Sequence, residues 1–245
     1  MAEKISQAFL LAAGLGTRLR PLTNTMPKCL LPIGGKPLLQ IWLENLKRHG
    51  INKILINTHW FADKVSAFLT AQSNAYFQLN IFNETNLLGS AGTIWANKEW
   101  VGKKPFFILY GDNLTNVNLS KMIAFHQEHG LPFTLGVFQT DNPRQCGIAE
   151  IDEGGNVVGF EEKPKEPKSH WAAAGIYLAD HRIFQALPEM ENKSLASRSV
   201  PFDMGFHVIP KLLGQMKAYF IHDFLMDIGT PQSYEQAQQS WKEME

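Results

Sequence analysis

Two glycines and an arginine follow the first apolar run of this chain, in the segment AAGLGTRLRPLT, Ala12–Thr23. Without side chains at Gly14 and Gly16, backbone amides can approach and cradle phosphate oxygens, and Arg18 adds a charged, bidentate donor. Neither common nucleotide loop is present. A dinucleotide fingerprint needs a third glycine where Leu19 stands, and a Walker A loop needs Lys-Ser or Lys-Thr where Gly34-Gly35-Lys36 is followed by Pro37. Taken alone, the two glycines read as a plain turn. Their surroundings point elsewhere, because no acid lies between Glu3 and Glu44 while Arg18, Arg20, Lys28 and Lys36 do, and a polyanion site is expected there.

Two carboxylates stand at chain turns. Asp112 follows the apolar run Phe106–Tyr110 and should emerge at the carboxyl end of a strand, the edge where open α/β sheets place ligands. Asp227 precedes Gly229 and a helix start. Either alone reads as a turn residue or cap. His126 and His129 lie three apart on an expected helix with no third soft ligand, so they read as a solvated helix face. No serine-histidine or cysteine-histidine signature stands out, and Cys29 reads as packing.

The elements that must position these groups follow from periodicity. Ala8–Ala13 is short and wholly apolar, as a buried first strand requires. In Pro37–His49, Leu39, Trp42, Leu43 and Leu46 recur at helical spacing and Gly50 provides the stop. The alternation continues with a strand over Lys53–Asn57, a helix over Trp60–Leu69 and a strand over Tyr76–Phe82. A helix over Ser90–Trp100 capped by Ser90, the strand Phe106–Tyr110 and a helix over Leu119–His129 come next. Such alternation implies right-handed crossovers and a mostly parallel sheet covered on both faces. Strand-like Thr134–Thr140, Gly147–Ile151 and Val157–Glu161, the last two joined by a Gly-Gly turn over Asp152–Asn156, add antiparallel pieces. Strands over Ala173–Leu178 and Ala218–Ile221 and a helix over Pro231–Met244, with Thr230 as cap, complete the chain. The expected fold is a doubly wound, Rossmann-like α/β domain over residues 1–245. Its rhythm divides it into two parts, expected over about 1–115 and about 116–245.

Composition narrows the partners. With 23 basic and 23 acidic residues the chain lacks the broad cationic face of a general nucleic-acid binder. The uncharged stretch Val65–Asn83 is too polar to span a bilayer, and two cysteines make no disulfide scaffold, so a cytoplasmic, membrane-free protein is expected. The sequons at Asn83, Asn113, Asn118 and Asn192 then read as chance. Oligomeric state is left open.

Together with PKCLLPIGGKP at Pro27–Pro37, the glycine loop resembles the signature of sugar-1-phosphate nucleotidylyltransferases. The likeness extends through LLGSAGT (Leu87–Thr93), FILYGDN (Phe107–Asn113), FEEKP (Phe160–Pro164), AGIYL (Ala174–Leu178) and MDIGTPQSYEQA (Met226–Ala237). It is nearest the bacterial mannose-1-phosphate and manno-heptose-1-phosphate guanylyltransferase branch, without the hexapeptide-repeat extension of some members. The resemblance implies that Arg18, Lys28 and Asp112 are catalytic. It implies nucleotide contacts from Leu11, Ala12, Ala13, Gly14, Gly16, Thr17, Arg18, Lys28, Glu84, Gly89 and Asp112, and a Mg²⁺ shared by Asp112 and Asp227, a hard oxygen set suited to that ion. Lys163 would hold the sugar phosphate, Glu162 would accept from a sugar hydroxyl, and Gly147 would let backbone approach the sugar. Ala173 stands where many relatives carry Asn, so one expected sugar-contacting amide is missing.

The implied reaction joins a nucleoside triphosphate to a sugar 1-phosphate and releases pyrophosphate. The resemblance, more than any one residue, makes GTP the expected triphosphate; Glu84 adds two acceptor oxygens for the N1–H and exocyclic amine of guanine, whereas uracil and thymine present one such donor. Transfer from UTP or dTTP, CTP-dependent transfer to phosphocholine, and a regulatory module that binds nucleotide sugar without turnover are the alternatives.

Overall fold

The computed structural model describes residues 5–72, 75–186 and 201–241. Asn192 and positions 242–244 of the expected last helix lie outside them. The strands are β1 (Gln7–Leu11), β2 (Pro32–Ile33), β3 (Lys36–Pro37), β4 (Lys53–Thr58), β5 (Gln78–Asn83), β6 (Phe106–Tyr110), β7 (Asn113–Thr115), β8 (Phe133–Gln139), β9 (Gly147–Ile151), β10 (Val157–Glu162), β11 (Trp171–Ala179), β12 (Met216–Phe220) and β13 (Leu225–Asp227). The helices are α1 (Leu38–Arg48), α2 (Ala62–Gln72), α3 (Ser90–Ala96), α4 (Lys98–Val101), α5 (Leu119–His129) and α6 (Pro231–Ser240). The class is α/β, with a mixed, mostly parallel sheet and helices, as the alternation predicts. The chain forms two compact units that interleave along it: the described residues of 1–5, 86–108 and 120–222, and those of 6–85, 109–119 and 223–245.

In the second of these units β1 pairs with β4 and β4 with β5, all parallel. The first strand stops at Leu11, not at Ala13, because the Ala12 amide leaves the ladder and donates to Asn57 Oδ1 at 2.7 Å. Helix α1 buries the stripe Leu39, Trp42, Leu43 and Leu46 read from the sequence, and Leu38 and Ile41 with it. Two polar side chains of α1 hold β7 and the residues after it: Trp42 Nε1 donates to Asn113 O (2.8 Å) and Asn45 Nδ2 to Val117 O (3.2 Å). β13 then pairs antiparallel with β7 and sets Asp227 opposite Asn113. α6 begins as expected, with Thr230 and Ser233 in a reciprocal capping box and Pro231 in the first turn.

In the other unit, β9 lies antiparallel between β10 and β11, β8 is antiparallel to β11, and β12 is parallel to β8. The register of β11 shifts between Ala173 and Tyr177, where Gly175 takes φ +64°. The single helix expected over residues 90–100 is instead two, α3 and α4. Asn97 breaks it by turning its side-chain amide back onto Thr93 O at 2.8 Å, and Gly89, not Ser90, holds the cap position.

The histidine pair also departs from expectation. His126 is buried, 5% exposed, and is no part of a solvated face. His129 Nδ1 accepts from the Leu131 amide (3.0 Å), so its proton sits on Nε2 and is donated to Thr134 Oγ1 (2.8 Å); that hydroxyl donates onward to His126 Nδ1 (2.7 Å). Burial, aided by the neighbouring His129, pushes His126 down to about 4 from an ordinary 6.5. As pH falls below the unfolded value, the unfolded chain takes a proton that the folded chain refuses. Stability should therefore decline from near pH 6.5 and level off near 4, by about 3 kcal/mol for this one group. Urea unfolding at pH 7 and pH 4.5 checks this: wild type should lose stability over that interval by more than His126→Gln, and parallel losses would refute it.

Candidate active site

The glycine loop leaves β1 with its first amide fixed by Asn57. Gly16 follows at φ +62°, and its carbonyl accepts from Leu19 N (3.0 Å) and Thr23 Oγ1 (2.7 Å). A Cβ there would stand 2.9 Å from Thr23 Cγ2, so both conformation and space require glycine. Gly14, Leu15, Thr17 and Arg18 are exposed, with Leu19 as the buried anchor.

Beside this loop, Lys28 is buried, and its Nζ donates to Asp112 Oδ2 at 2.9 Å and Asp227 Oδ1 at 3.0 Å. Arg18 approaches Asp227 Oδ2 at 3.8 Å. Three backbone features make the convergence possible. Gly111 N donates to Leu11 O (2.8 Å), in a contact so close that a Cβ would sit 2.9 Å from that oxygen. The β7–β13 ladder brings Asp227 alongside, and Gly229 leaves room that a Cβ would fill at 2.8 Å from both Arg18 and Asp227. Two carboxylates around one ammonium leave a negative charge over, with the exposed Arg18 guanidinium poised above it. Cys29, next in the chain, is inert: burial pushes its thiol up to about 12.

Glu84 is placed otherwise than its expected role requires. It is 3% exposed, and its Oε1 accepts from Asn57 Nδ2 at 2.8 Å, while its backbone carbonyl meets His59 Nδ1 at 2.7 Å. One of the two oxygens offered to guanine is already engaged, supporting the side chain that holds the glycine loop.

The remaining expected residues fall in the other compact unit. Gly147 is the register partner of Glu162, and a Cβ on it would stand 2.5 Å from Glu162 Oε2. Burial, then the charge of Asp203, raises the Glu162 carboxyl above its ordinary range, against a smaller opposing pull from Lys163. Lys163 is exposed and holds φ +52°, rare for a residue with a side chain, while its amide donates to Cys146 O at 2.9 Å. Gly89 has φ +81° and lies so close to Phe202 that a Cβ would sit 2.4 Å from its carbonyl oxygen. Ala173 is half-buried opposite Val137, and Trp171 packs edge-on against Phe220 with ring centroids 4.7 Å apart.

The Nucleotidyl transferase family profile matches residues 7–243. The chain belongs to the nucleotidyl transferase family. It is 32% identical over 186 residues to the low-salt glycan biosynthesis nucleotidyltransferase of Haloferax volcanii, covering 76% of this chain and 52% of that protein. It is 30% identical over 234 residues to the mannose-1-phosphate guanylyltransferase catalytic subunit beta of Drosophila pseudoobscura pseudoobscura, covering 94% and 60%. The chain thus spans about half to three-fifths of the length of these curated relatives. A Bacillus anthracis structure assigned as a glucose-1-phosphate thymidylyltransferase, in complex with a sucrose, matches with a TM-score of 0.84 at 25% identity, over 99% of this chain and 98% of that one.

For a nucleotidyl transferase, the acidic pair has the right donors for a divalent cation. Asp112 and Asp227 point hard oxygens at one place, already occupied by a positive group, and their side chains are 44% and 53% exposed, which leaves water to complete an octahedral shell. Among the described residues no cluster of three or more His, Cys, Asp or Glu forms a closed metal cage, so an ion held here would share its shell with water and substrate. Two contributors went unread in the sequence. Asn57 announces itself only as a polar residue ending a buried strand, and Asp203 lies in an irregular stretch with no periodic signal.

The backbone of Lys163 yields a separate expectation. A left-handed conformation costs a side-chain-bearing residue about 1 kcal/mol or more. Lys163→Gly should therefore be more stable to denaturant than Lys163→Ala by about 1 kcal/mol, although both remove the same ammonium. Equal unfolding midpoints would show that the strain is absent.

Proposed function

We propose that the chain transfers a nucleotidyl group from a nucleoside triphosphate to a sugar 1-phosphate, giving a nucleotide sugar and pyrophosphate. The observation that carries this reading is the clasp of Lys28 by Asp112 and Asp227, at 2.9 and 3.0 Å, beside a glycine loop at the carboxyl end of β1.

The sugar phosphate oxygen attacks the α-phosphorus in line with the departing pyrophosphate, so no covalent enzyme intermediate is needed and catalysis rests on positioning and charge. The loop amides and Arg18 hold the triphosphate, and Lys28 neutralises charge that develops on the reacting phosphate. Mg²⁺ bound by Asp112 and Asp227 would add electrostatic neutralisation of the phosphate oxygens. On the acceptor side, Lys163 holds the attacking phosphate and ionised Glu162 accepts from a sugar hydroxyl, with Gly147 leaving the backbone bare.

The name of the fly relative supports GTP and mannose 1-phosphate, and manno-heptose 1-phosphate stands beside it as acceptor on the sequence resemblance alone. The Bacillus anthracis likeness supports dTTP and glucose 1-phosphate as a second reading. We favour GTP on the overall resemblance and not on Glu84. NTP and reduced thiols are both cytoplasmic, which suits this chemistry. Pyrophosphate release with each of the four NTPs against mannose, manno-heptose and glucose 1-phosphates tests the reading. The fastest initial rate is expected with GTP and a manno-configured acceptor. Preference for UTP or dTTP would overturn the base assignment, and no release with any pair would overturn nucleotidyl transfer.

A further inference from the structure

Asp203 has no part in the chemistry described so far, yet three separated stretches of its compact unit meet on it. Phe202 N donates to Leu88 O (2.8 Å), and Phe202 O accepts from Ala91 N and Gly92 N (2.9 and 3.0 Å), so the backbone before Asp203 is stitched to the turn carrying Gly89. Asp203 Oδ2 accepts from Ser90 Oγ at 2.8 Å, and the same Oγ accepts from Met204 N at 2.9 Å. Asp203 Oδ1 accepts from Gly205 N at 2.8 Å. Gly205 in turn is where Glu162 rests: a Cβ on it would stand 2.3 Å from Glu162 Oε2, just as one on Gly147 would stand 2.5 Å away. The Glu162 carboxylate is therefore seated on the bare backbone of two glycines, one of them fixed by Asp203.

A cap for the short turn Met204–Val208 explains the Oδ1 bond alone. It explains neither the Ser90 bond nor the placement of a second carboxylate near Glu162.

We infer that Asp203 is a positioning residue that holds the Gly89 turn and the Glu162 carboxylate in one arrangement, its own carboxylate lying beside that of Glu162 across Gly205. This deepens the proposed function, on which it rests for the roles of Gly89 and Glu162. Among the described residues, Asp203 opposes the ionisation of Glu162 and Lys163 favours it, while Gly147 and Gly205 contribute backbone and Phe160 an apolar ring next to Gly147. An ionised carboxylate accepts from a sugar hydroxyl more strongly than a protonated one, so sugar-phosphate use weakens as pH falls through the Glu162 value. Asp203 moves that weakening to higher pH.

Asp203→Asn keeps an acceptor for Gly205 N and a polar partner for Ser90 but removes the charge; Asp203→Ala removes both anchors. With the full chain and its best substrate pair, Asp203→Asn should carry the acid limb of kcat/KM for the sugar 1-phosphate to lower pH than wild type, with the KM for NTP nearly unchanged. Asp203→Ala should raise both KM values by about tenfold, the scale of a lost charged hydrogen bond. An acid limb that stays in place in Asp203→Asn would overturn the inference, whether or not the alanine variant folds. Titration of the Glu162 carboxyl carbon by NMR, in wild type and Asp203→Asn, reads the same displacement without turnover. If no substrate pair reacts but that titration moves, the proposed function fails and the Asp203 assignment stands; if turnover is found and neither limb nor titration moves, the assignment alone fails.

Discussion

Asp112→Asn should lower turnover by about a hundredfold or more at saturating substrates and Mg²⁺ while leaving the fold intact. Asparagine matches the carboxylate in shape and still offers an oxygen to Lys28, so only charge is removed from the point where Lys28 Nζ now sits at 2.9 Å. The Asp112 side chain is 44% exposed, which limits any cost to folding. Asp227→Asn should behave alike, because the β7–β13 ladder gives the two carboxylates a common target. The pair then acts as a unit, and the double variant should be little worse than either single one. Steady-state pyrophosphate release checks all three proteins. Near-normal turnover by Asp112→Asn would sink the shared-site assignment, and fully multiplicative losses would show that the two aspartates serve different steps.

Much of this arrangement could be read from the chain, for a definite reason. Phe106–Tyr110, Leu119–His129 and Gly147–Ile151 are expected at the bounds the structure gives, the first as an unbroken apolar run, and each with a glycine or turn close behind it. The first strand ends two residues short of its apolar run, since nothing local reveals that Ala12 will spend its amide on Asn57, 45 residues away. The helix break at Asn97 escaped for the related reason that a side chain competes with the backbone only once the turn exists.

The site itself was half legible. The glycine loop, Lys28 and the two aspartates were named from residue type and family likeness, but the elements that bring them together, β7 and β13, are three residues each and carry no periodic signal. Lys28 meets Asp112 and Asp227 across 84 and 199 residues of sequence, a convergence only the fold supplies. His126 departs in the same way: a polar residue on a helix reads as solvated until its buried partner is known, here Thr134. For Glu84 the sequence shows two acceptor oxygens but not that one of them is taken by Asn57.

The buried ammonium leads to the expectation with the most distinctive sign. Lys28→Met should lower turnover by about a hundredfold or more and, at the same time, tighten binding of a divalent cation in the absence of nucleotide. Methionine replaces most of the buried stem, so packing around the 9%-exposed side chain is largely kept. What disappears is a positive charge within 3.0 Å of both carboxylates, leaving Asp112 and Asp227 with no cation between them. A second charge at such distances is worth about 1 kcal/mol even in water and more beside protein, so the dissociation constant for Mn²⁺ should fall by about fivefold or more. Lys28→Arg should not restore turnover, because a planar fork cannot sit between the two oxygens as a compact ammonium does. Titration with Mn²⁺ followed by electron paramagnetic resonance, beside pyrophosphate release, separates the outcomes. Lost turnover with weaker Mn²⁺ binding would mean that Lys28 shapes the acidic pair and does not compete for it, and unchanged turnover would remove Lys28 from the transfer step altogether.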